Sequence, residues 1–218
     1  MEQYKRILLK EFDSKQKVIT ELINLEAILN LPKGTELYLS DIHGEFEAFD
    51  YILRTCAGNL NEKINDCFGE KLSKEEKDKL TLLIAYPQEV LSDGFLYPLK
   101  DKSWYGEIIQ NLLTLLTFVT AKYTRSKVRK ALPPQYAYVI EELLYTDRNL
   151  PDSNIYFETI QNYLIDLGEA SQFISALAKV IRQLIIDHLH IVGDIFDRGA
   201  AADKVMNEIM AYHSVDIQ

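Results

Sequence analysis

Two short acidic motifs carry the residues of this chain whose types and spacing are best suited to chemistry. They read SDIHG at residues 40–44 and GDIFDRG at residues 193–199, and each follows a strand-like run. Carboxylates and imidazoles bind divalent cations, and the planar guanidinium of arginine matches phosphate oxygens. Together the two motifs predict a metal site that grips a phosphate group.

The first motif places Asp41 and His43 two positions apart as the chain leaves a strand. Residues i and i+2 leaving a strand point the same way, so a carboxylate and an imidazole are expected to face one point. That pairing suits Mn²⁺, Fe²⁺ or Zn²⁺ better than Ca²⁺. Gly44 allows a sharp turn into a helix. Taken alone, this motif is more often a turn with a helix N-cap than a metal site.

The second motif is more specific. Asp194 follows Gly193 at the carboxyl end of a strand, the edge of an α/β sheet where ligands usually bind. One carboxylate there can bridge two cations about 3.5–4 Å apart, the spacing used for in-line attack on phosphorus. Asp197, one helical turn on, is suited to orienting a nearby histidine, and Arg198 offers a fork for phosphate. The alternative is an exposed turn closed by a structural Asp–Arg salt bridge.

Composition predicts a globular chain and argues against nucleic-acid binding. The chain has 218 residues, of which 47% are hydrophobic, so it can bury a core as one domain or as one domain with an insertion. Its formal net charge is −9, and it has no extended lysine or arginine cluster. A nucleic-acid-binding surface normally shows a basic stripe, so we expect no such partner.

Cysteine count and apolar patterning bound the cellular setting. Cys56 and Cys67 are too few for a zinc ribbon, and we expect free thiols rather than a disulfide. The N-terminus lacks the apolar segment of a secretion signal, and the apolar stretch 112–119 is too short to span a bilayer. We therefore expect a cytoplasmic protein with no membrane partner.

The parts that flank the motifs read as alternating helices and strands. Apolar spacing and breakers predict helices at 4–31, 45–56 and 201–212, and strands at 36–40, 188–192 and 214–218. Strand, ligand-bearing turn and helix follow one another, as in the first half of a β-α-β unit. The predicted fold class is therefore α/β.

Between the motifs, residues 58–178 read as predominantly helical. The pattern predicts helices at 74–86, 104–124, from Pro133 to 145, and at 153–186 in two pieces around Gly168, with a polar turn at 147–152. The tyrosine and phenylalanine residues of this segment are expected in the core or at subunit contacts of a homo-oligomer, rather than in a stacking platform: Tyr136, Tyr138, Tyr145, Tyr156 and Phe157.

The two motifs resemble those of the calcineurin-like metallophosphoesterase superfamily, whose sites combine Asp-x-His with Gly-Asp-x-x-Asp-Arg. LSDIHGEFEAF at 39–49 and HIVGDIFDRG at 190–199 are most similar to the class III fructose-1,6-bisphosphatases of Firmicutes-type bacteria. Asp41 and Asp194 are 153 positions apart, and a long helical insertion fills this gap in that family. Ala200 stands where related enzymes commonly have proline.

The resemblance implies a β-sandwich with flanking helices, interrupted by an all-helical insertion. It divides the chain into 1–57, the first part of the phosphoesterase domain, 58–178, the insertion, and 179–218, the second part of that domain. The family's chains are about three times longer and continue with Asn-His and further histidine motifs. We therefore expect this chain to be the front part of such a protein, incomplete for catalysis.

Residue roles also follow from the resemblance. Asp41 and His43 would bind the first metal, Asp194 would bridge two metals, Asp197 would orient a catalytic histidine, and Arg198 would hold the scissile phosphate. The implied reaction removes the 1-phosphate of fructose 1,6-bisphosphate, a sugar bisphosphate substrate, in gluconeogenesis. Mn²⁺ would be the usual metal, and no covalent enzyme intermediate would form.

Alternatives remain open from the residues alone. The chain could belong to a phosphoprotein or dinucleoside polyphosphate phosphatase, or be a non-catalytic interaction module. His188 and His190 alternate on one strand face and are expected to be structural histidines. His213, near a helix end, is expected to interact with the helix dipole rather than with a metal.

Overall fold

A parallel three-stranded sheet carries both motifs. This computed structural model describes residues 2–92, 96–97, 99–146 and 151–218. The strands are β1 (Glu36–Ser40), β2 (His188–Val192) and β3 (Val215–Ile217), in the order β1-β2-β3. Both neighbouring pairs are parallel, with Ser40 opposite Val192 and His190 opposite Asp216. The three predicted strands are confirmed.

Most of the rest of the chain is helical, so the fold class is α/β as predicted. The helices are α1 (Glu2–Glu11), α2 (Lys15–Leu29), α3 (Phe46–Arg54), α4 (Asn59–Phe68), α5 (Lys74–Ala85), α6 (Pro87–Ser92), α7 (Lys102–Thr120), α8 (Arg125–Ala131), α9 (Ala137–Tyr145), α10 (Pro151–Asp166), α11 (Ala170–Ile185) and α12 (Ala202–Ala211). The polar turn predicted at 147–152 falls largely on residues 147–150, outside the described residues.

Helix ends follow local chemistry. The single helix predicted at 4–31 is wrong, because the structure has α1 and α2 with a break between them. Ser14 caps α2, its side chain accepting a hydrogen bond from Lys17 N. The segment predicted at 153–186 does break near Gly168, which adopts a φ of 77° between α10 and α11.

Two groups of buried apolar residues form separate cores. The larger runs from Cys56 to Ile186 and is built mainly by α4 to α11, with α7 and α11 at its centre. The smaller core is formed by residues of the two motif loops, β2, α3 and α12. It consists of Ile42, Phe49, Leu189, Ile191, Ile195, Val205 and Ile209. The division proposed at residue 178 falls inside α11, which packs in the larger core. The motifs thus rest on a small core of their own.

Asp187 ties the helical part of the chain to the sheet. Its side chain is only 9% exposed and accepts hydrogen bonds from Thr35 N (2.9 Å) and Tyr123 Oη (2.5 Å). Lys127 also bonds to this carboxylate, and Lys122 Nζ lies 3.5 Å away. Because Thr35 precedes β1 and Asp187 precedes β2, this network holds the starts of both strands against the end of α7.

The structure also reports on the two cysteines and on the apolar character of the helices. Cys56 and Cys67 are free thiols, as expected, and burial raises the pKa of Cys56 to about 12. Among the described residues, no helix is both long and apolar enough to cross a membrane.

Candidate metal centre

Both motifs begin where neighbouring strands end. β1 ends at Ser40 and β2 at Val192, and these two residues pair in the parallel register. Asp41 and Gly193 therefore leave the sheet side by side at its carboxyl edge, the expected ligand-binding edge of a parallel sheet. This placement brings two motifs together that lie far apart in the sequence.

Backbone hydrogen bonds then join the two loops. Asp41 N donates to Val192 O at 3.1 Å, and His43 N donates to Asp194 O at 3.1 Å. Gly199 N donates to His43 O. The position of each motif is thus fixed by the main chain of the other, independently of any side chain.

Close backbone contact explains the glycines at the ends of the motifs. A Cβ built on Gly199 would lie 2.4 Å from Gly44 C and 2.6 Å from His43 O. Gly44 has a φ of 72°, and its own Cβ would lie 2.7 Å from Gly199 O. Glycine at both positions lets the two loops touch main chain to main chain.

Asp41 and His43 do not continue the strand. They have φ values of 53° and 52°, in the left-handed region that non-glycine residues rarely adopt. The strand-alternation argument for their common direction is therefore wrong, since β1 has already ended. Left-handed non-glycine residues are costly and cluster at functional sites, where the surrounding structure holds them in place.

Three donor side chains converge at this edge: His43, Asp194 and Asp197. One ligand atom from each lies within 4.8 Å of the others, and both carboxylates are exposed. Nδ1 of His43 contacts Asp197 Oδ1 directly. Asp41 is placed differently, because its Oδ1 lies 3.5 Å from Asp194 N, beside the backbone of the second motif.

Arg198 projects beside this group. Its side chain is 73% exposed, and its Nε lies 3.6 Å from Asp197 Oδ2. The Asp–Arg pair of the alternative interpretation is therefore present, but it is long and exposed, and such pairs contribute little to stability. The guanidinium remains open to an incoming anion next to the carboxylates.

The donor set suits a divalent cation. Two carboxylates and an imidazole face the same space. Without a cation, the negative charges of the two carboxylates repel one another. Oxygen and imidazole donors suit Mn²⁺, Fe²⁺ or Zn²⁺. His43 and Asp194 could hold such an ion, with Asp41 close to Asp194 and Asp197 against the ring of His43. When bound, it would act as a Lewis acid toward a phosphoryl oxygen and activate water.

Sequence reasoning missed two features of the polar residues. Asp197 was expected to orient a nearby histidine without that histidine being named, and the structure places it against His43, a contact made across 154 positions. Asp216 was not singled out, although it lies in a predicted strand next to His188 and His190. The available signal was the position of Asp216, two residues after Ser214 in the predicted strand. Residues i and i+2 of a strand share a face, so Asp216 and Ser214 could be expected on the same side of the sheet.

Comparisons with known proteins show which family the chain resembles along its length. A family described as Firmicute fructose-1,6-bisphosphatase matches residues 3–218. Proteins named "Fructose-1,6-bisphosphatase class 3" from Streptococcus gordonii and Streptococcus sanguinis are 65% and 66% identical over 218 residues, covering 100% of this chain. A protein of the same name from Listeria monocytogenes is 49% identical over 217 residues, or 99% of the chain.

The matched region covers only part of each relative. The chain spans about a third of their length, 34% for both streptococcal proteins and 33% for the Listeria protein. No solved structure matches. Since the family match covers nearly every residue, the chain belongs to the Firmicute fructose-1,6-bisphosphatase family.

Proposed function

We propose that this chain supplies the metal-binding and phosphate-binding edge of a fructose-1,6-bisphosphatase. The reaction is hydrolysis of the 1-phosphate of fructose 1,6-bisphosphate, a step of gluconeogenesis. The observation that carries the proposal is the convergence of His43, Asp194 and Asp197 beside Arg198 at the sheet edge. The names of relatives 65% and 66% identical give the substrate.

Each side chain has a distinct role in this proposal. Asp41, His43 and Asp194 would hold divalent metal, with Mn²⁺ as the proposed ion. Asp197 accepts a hydrogen bond from Nδ1 of His43, so Nε2 of His43 is the nitrogen available to a metal ion. A carboxylate in this position commonly fixes the orientation of a metal-binding imidazole ring. Arg198 binds the phosphate through its planar fork.

The proposal extends to the architecture. The sheet would be the first part of a calcineurin-like β-sandwich, whose remainder comes from the other two-thirds of the longer relatives. Residues 58–178 would be a helical insertion between its two parts, 1–57 and 179–218. The two apolar cores support an insertion in general, because most of the helical segment packs in the larger core and the motifs pack in the smaller one.

The test is phosphate release from fructose 1,6-bisphosphate with Mn²⁺, measured in two contexts. One is the 218-residue chain alone. The other is a chimera in which this chain replaces the matching 218 residues of the Streptococcus gordonii relative. We expect the chimera to turn over and Asp194→Asn to abolish that turnover. Asp203→Asn removes the same charge from an exposed position of α12 and should leave the rate unchanged.

The outcomes separate the alternatives. A folded chimera that hydrolyses a phosphoprotein or a dinucleoside polyphosphate but not the sugar bisphosphate would overturn the substrate assignment. A folded chimera that binds Mn²⁺ and hydrolyses nothing would overturn the enzymatic role and favour an interaction module. Activity of the chain alone would show that residues outside these 218 are dispensable for turnover.

Arg198→Lys in the chimera is expected to lower kcat/KM about 10-fold. Lysine keeps the positive charge but loses the planar fork, and a hydrogen bond to a charged group contributes about 1.5 kcal/mol. Steady-state kinetics on fructose 1,6-bisphosphate would measure the change, with Mn²⁺ affinity as the control. An unchanged kcat/KM would contradict phosphate binding by Arg198.

A further inference from the structure

One face of the sheet carries polar side chains from all three strands. His188 and His190 lie two positions apart on β2 and therefore share this face. In the parallel register, Glu36 of β1 pairs with His188, and Asp216 of β3 pairs with His190. The opposite face packs on the smaller core. Rigid neighbouring strands thus bring two imidazoles and two carboxylates together, away from the loops of the candidate metal centre.

Each imidazole has one ring nitrogen that contacts a side chain other than Asp216. Nε2 of His190 lies 3.2 Å from Glu36 Oε2, and since a carboxylate only accepts, this nitrogen carries the hydrogen. Nδ1 of His188 lies 2.6 Å from Ser214 Oγ. Partners in this position hold the ring orientation of metal-binding histidines, and the carboxylate of Glu36 also fixes the tautomer of His190.

The two remaining ring nitrogens face one carboxylate oxygen. Asp216 Oδ2 lies 3.0 Å from Nε2 of His188 and 3.9 Å from Nδ1 of His190. Nε2 of His188 is buried and forms no hydrogen bond among the described residues, although Asp216 Oδ2 is close to it. In a neutral His190, Nδ1 presents a lone pair to the same anion. Converging lone pairs repel unless a proton or a metal cation lies between them.

The separations match those of metal ligands. In a tetrahedral zinc site with bonds of about 2.0–2.2 Å, neighbouring donor atoms lie about 3.4 Å apart. The two measured nitrogen–oxygen distances, 3.0 and 3.9 Å, fall on either side of that value. All three donor atoms lie within 4.8 Å of one another. Small side-chain movements on fixed strands would therefore complete the coordination.

We propose that His188, His190 and Asp216 bind a second divalent metal ion, of the Zn²⁺ class, at a site separate from the candidate metal centre. Two imidazoles and one carboxylate are borderline donors, which favour zinc and similar ions over calcium or magnesium. Three protein ligands leave a fourth position for water or another group. The competing explanation is an ion pair in which a protonated histidine bonds to Asp216 and no metal binds.

The test is Zn²⁺ binding to the 218-residue chain by calorimetry, after the candidate metal centre has been disabled. Asp41→Asn, Asp194→Asn and Asp197→Asn together remove that centre's carboxylates, and one equivalent of Zn²⁺ is expected to remain bound. Adding Asp216→Asn should weaken this binding at least 10-fold, and adding Glu36→Gln instead should weaken it about 10-fold. Circular dichroism would verify that each variant is folded.

Matched controls are available nearby. His213→Gln removes a histidine whose Nε2 bonds to Asp187 O at 3.0 Å, outside the proposed site, and Asp203→Asn removes an exposed carboxylate of α12. Neither should change Zn²⁺ affinity. The proposal is overturned if the disabled parent binds no Zn²⁺, or if Asp216→Asn and Asp203→Asn bind it equally well.

A measurement on the unaltered chain covers the case in which a variant fails to fold. Imidazole ¹⁵N spectra recorded with and without Zn²⁺ report on each ring nitrogen. The proposal expects large shifts at Nε2 of His188 and Nδ1 of His190, with the hydrogen retained on Nε2 of His190. Shifts confined to His43 would mean that Zn²⁺ occupies the candidate metal centre alone, and would overturn the proposal.

Discussion

Gly199→Ala is expected to separate the two motif loops, destabilise the chain by about 3 kcal/mol and weaken Mn²⁺ binding at least 10-fold. The added Cβ would lie 2.4 Å from Gly44 C and 2.5 Å from Gly44 O, both backbone atoms that cannot rotate away. Relief requires the loops to move apart, which breaks the bond from Gly199 N to His43 O. His43 would then leave Asp194 and Asp197. Urea denaturation and calorimetric Mn²⁺ titration would measure the two effects.

Gly168→Ala separates this contact effect from backbone strain. Gly168 has a φ of 77°, but a Cβ there would meet nothing within 4 Å. Alanine should therefore cost about 1 kcal/mol through its left-handed conformation and leave Mn²⁺ affinity unchanged. Gly199 is outside the left-handed region, so its cost comes from contact alone. A Gly199→Ala chain that binds Mn²⁺ as tightly as the parent would contradict the close approach of the two loops.

The strands and the position of both motifs could be predicted because their signals are local. Apolar runs that end in an acidic turn define β1 and β2, and parallel strands bring their carboxyl ends to one edge. The break between α1 and α2 was missed because Phe12 and Ile19 lie seven positions apart, as on one helical face, although residues 13–17 between them are polar and Ser14 caps α2. Here a single side-chain hydrogen bond decides the boundary against the hydrophobic pattern.

The inner geometry of the site could not be predicted because it depends on distant partners and on backbone strain. No residue type signals that Asp41 and His43 adopt left-handed conformations, which the second motif stabilises through its own backbone. Alternation correctly predicted that His188 and His190 share a face. It could not show that Glu36 and Ser214 bond to their outer nitrogens, since these come from other parts of the chain.

Asp187→Asn is expected to lower the free energy of unfolding by about 2 kcal/mol at pH 7, a fall in Tm of about 6 °C. The neutral amide loses the charge that Lys122 and Lys127 face, and cannot accept all the bonds that the carboxylate accepts from Thr35 N and Tyr123 Oη. Asp166→Asn is the matched control. Its pair with Lys102 at 2.9 Å is exposed, so its loss should cost less than about 0.5 kcal/mol.

The pH dependence of this difference identifies its cause. Burial alone would raise the pKa of Asp187, but hydrogen bonds from Lys127 and Tyr123 and the charges of Lys127 and Lys122 hold it below its ordinary value. A folded pKa below the unfolded value of about 3.9 means that the stabilisation is complete well above that pH. The difference between parent and Asp187→Asn should therefore stay constant from about pH 8 to 5. It should shrink as the pH falls below about 4, through the folded pKa. A difference that instead changed near pH 6 would implicate His213, whose ring bonds to Asp187 O and whose pKa burial lowers.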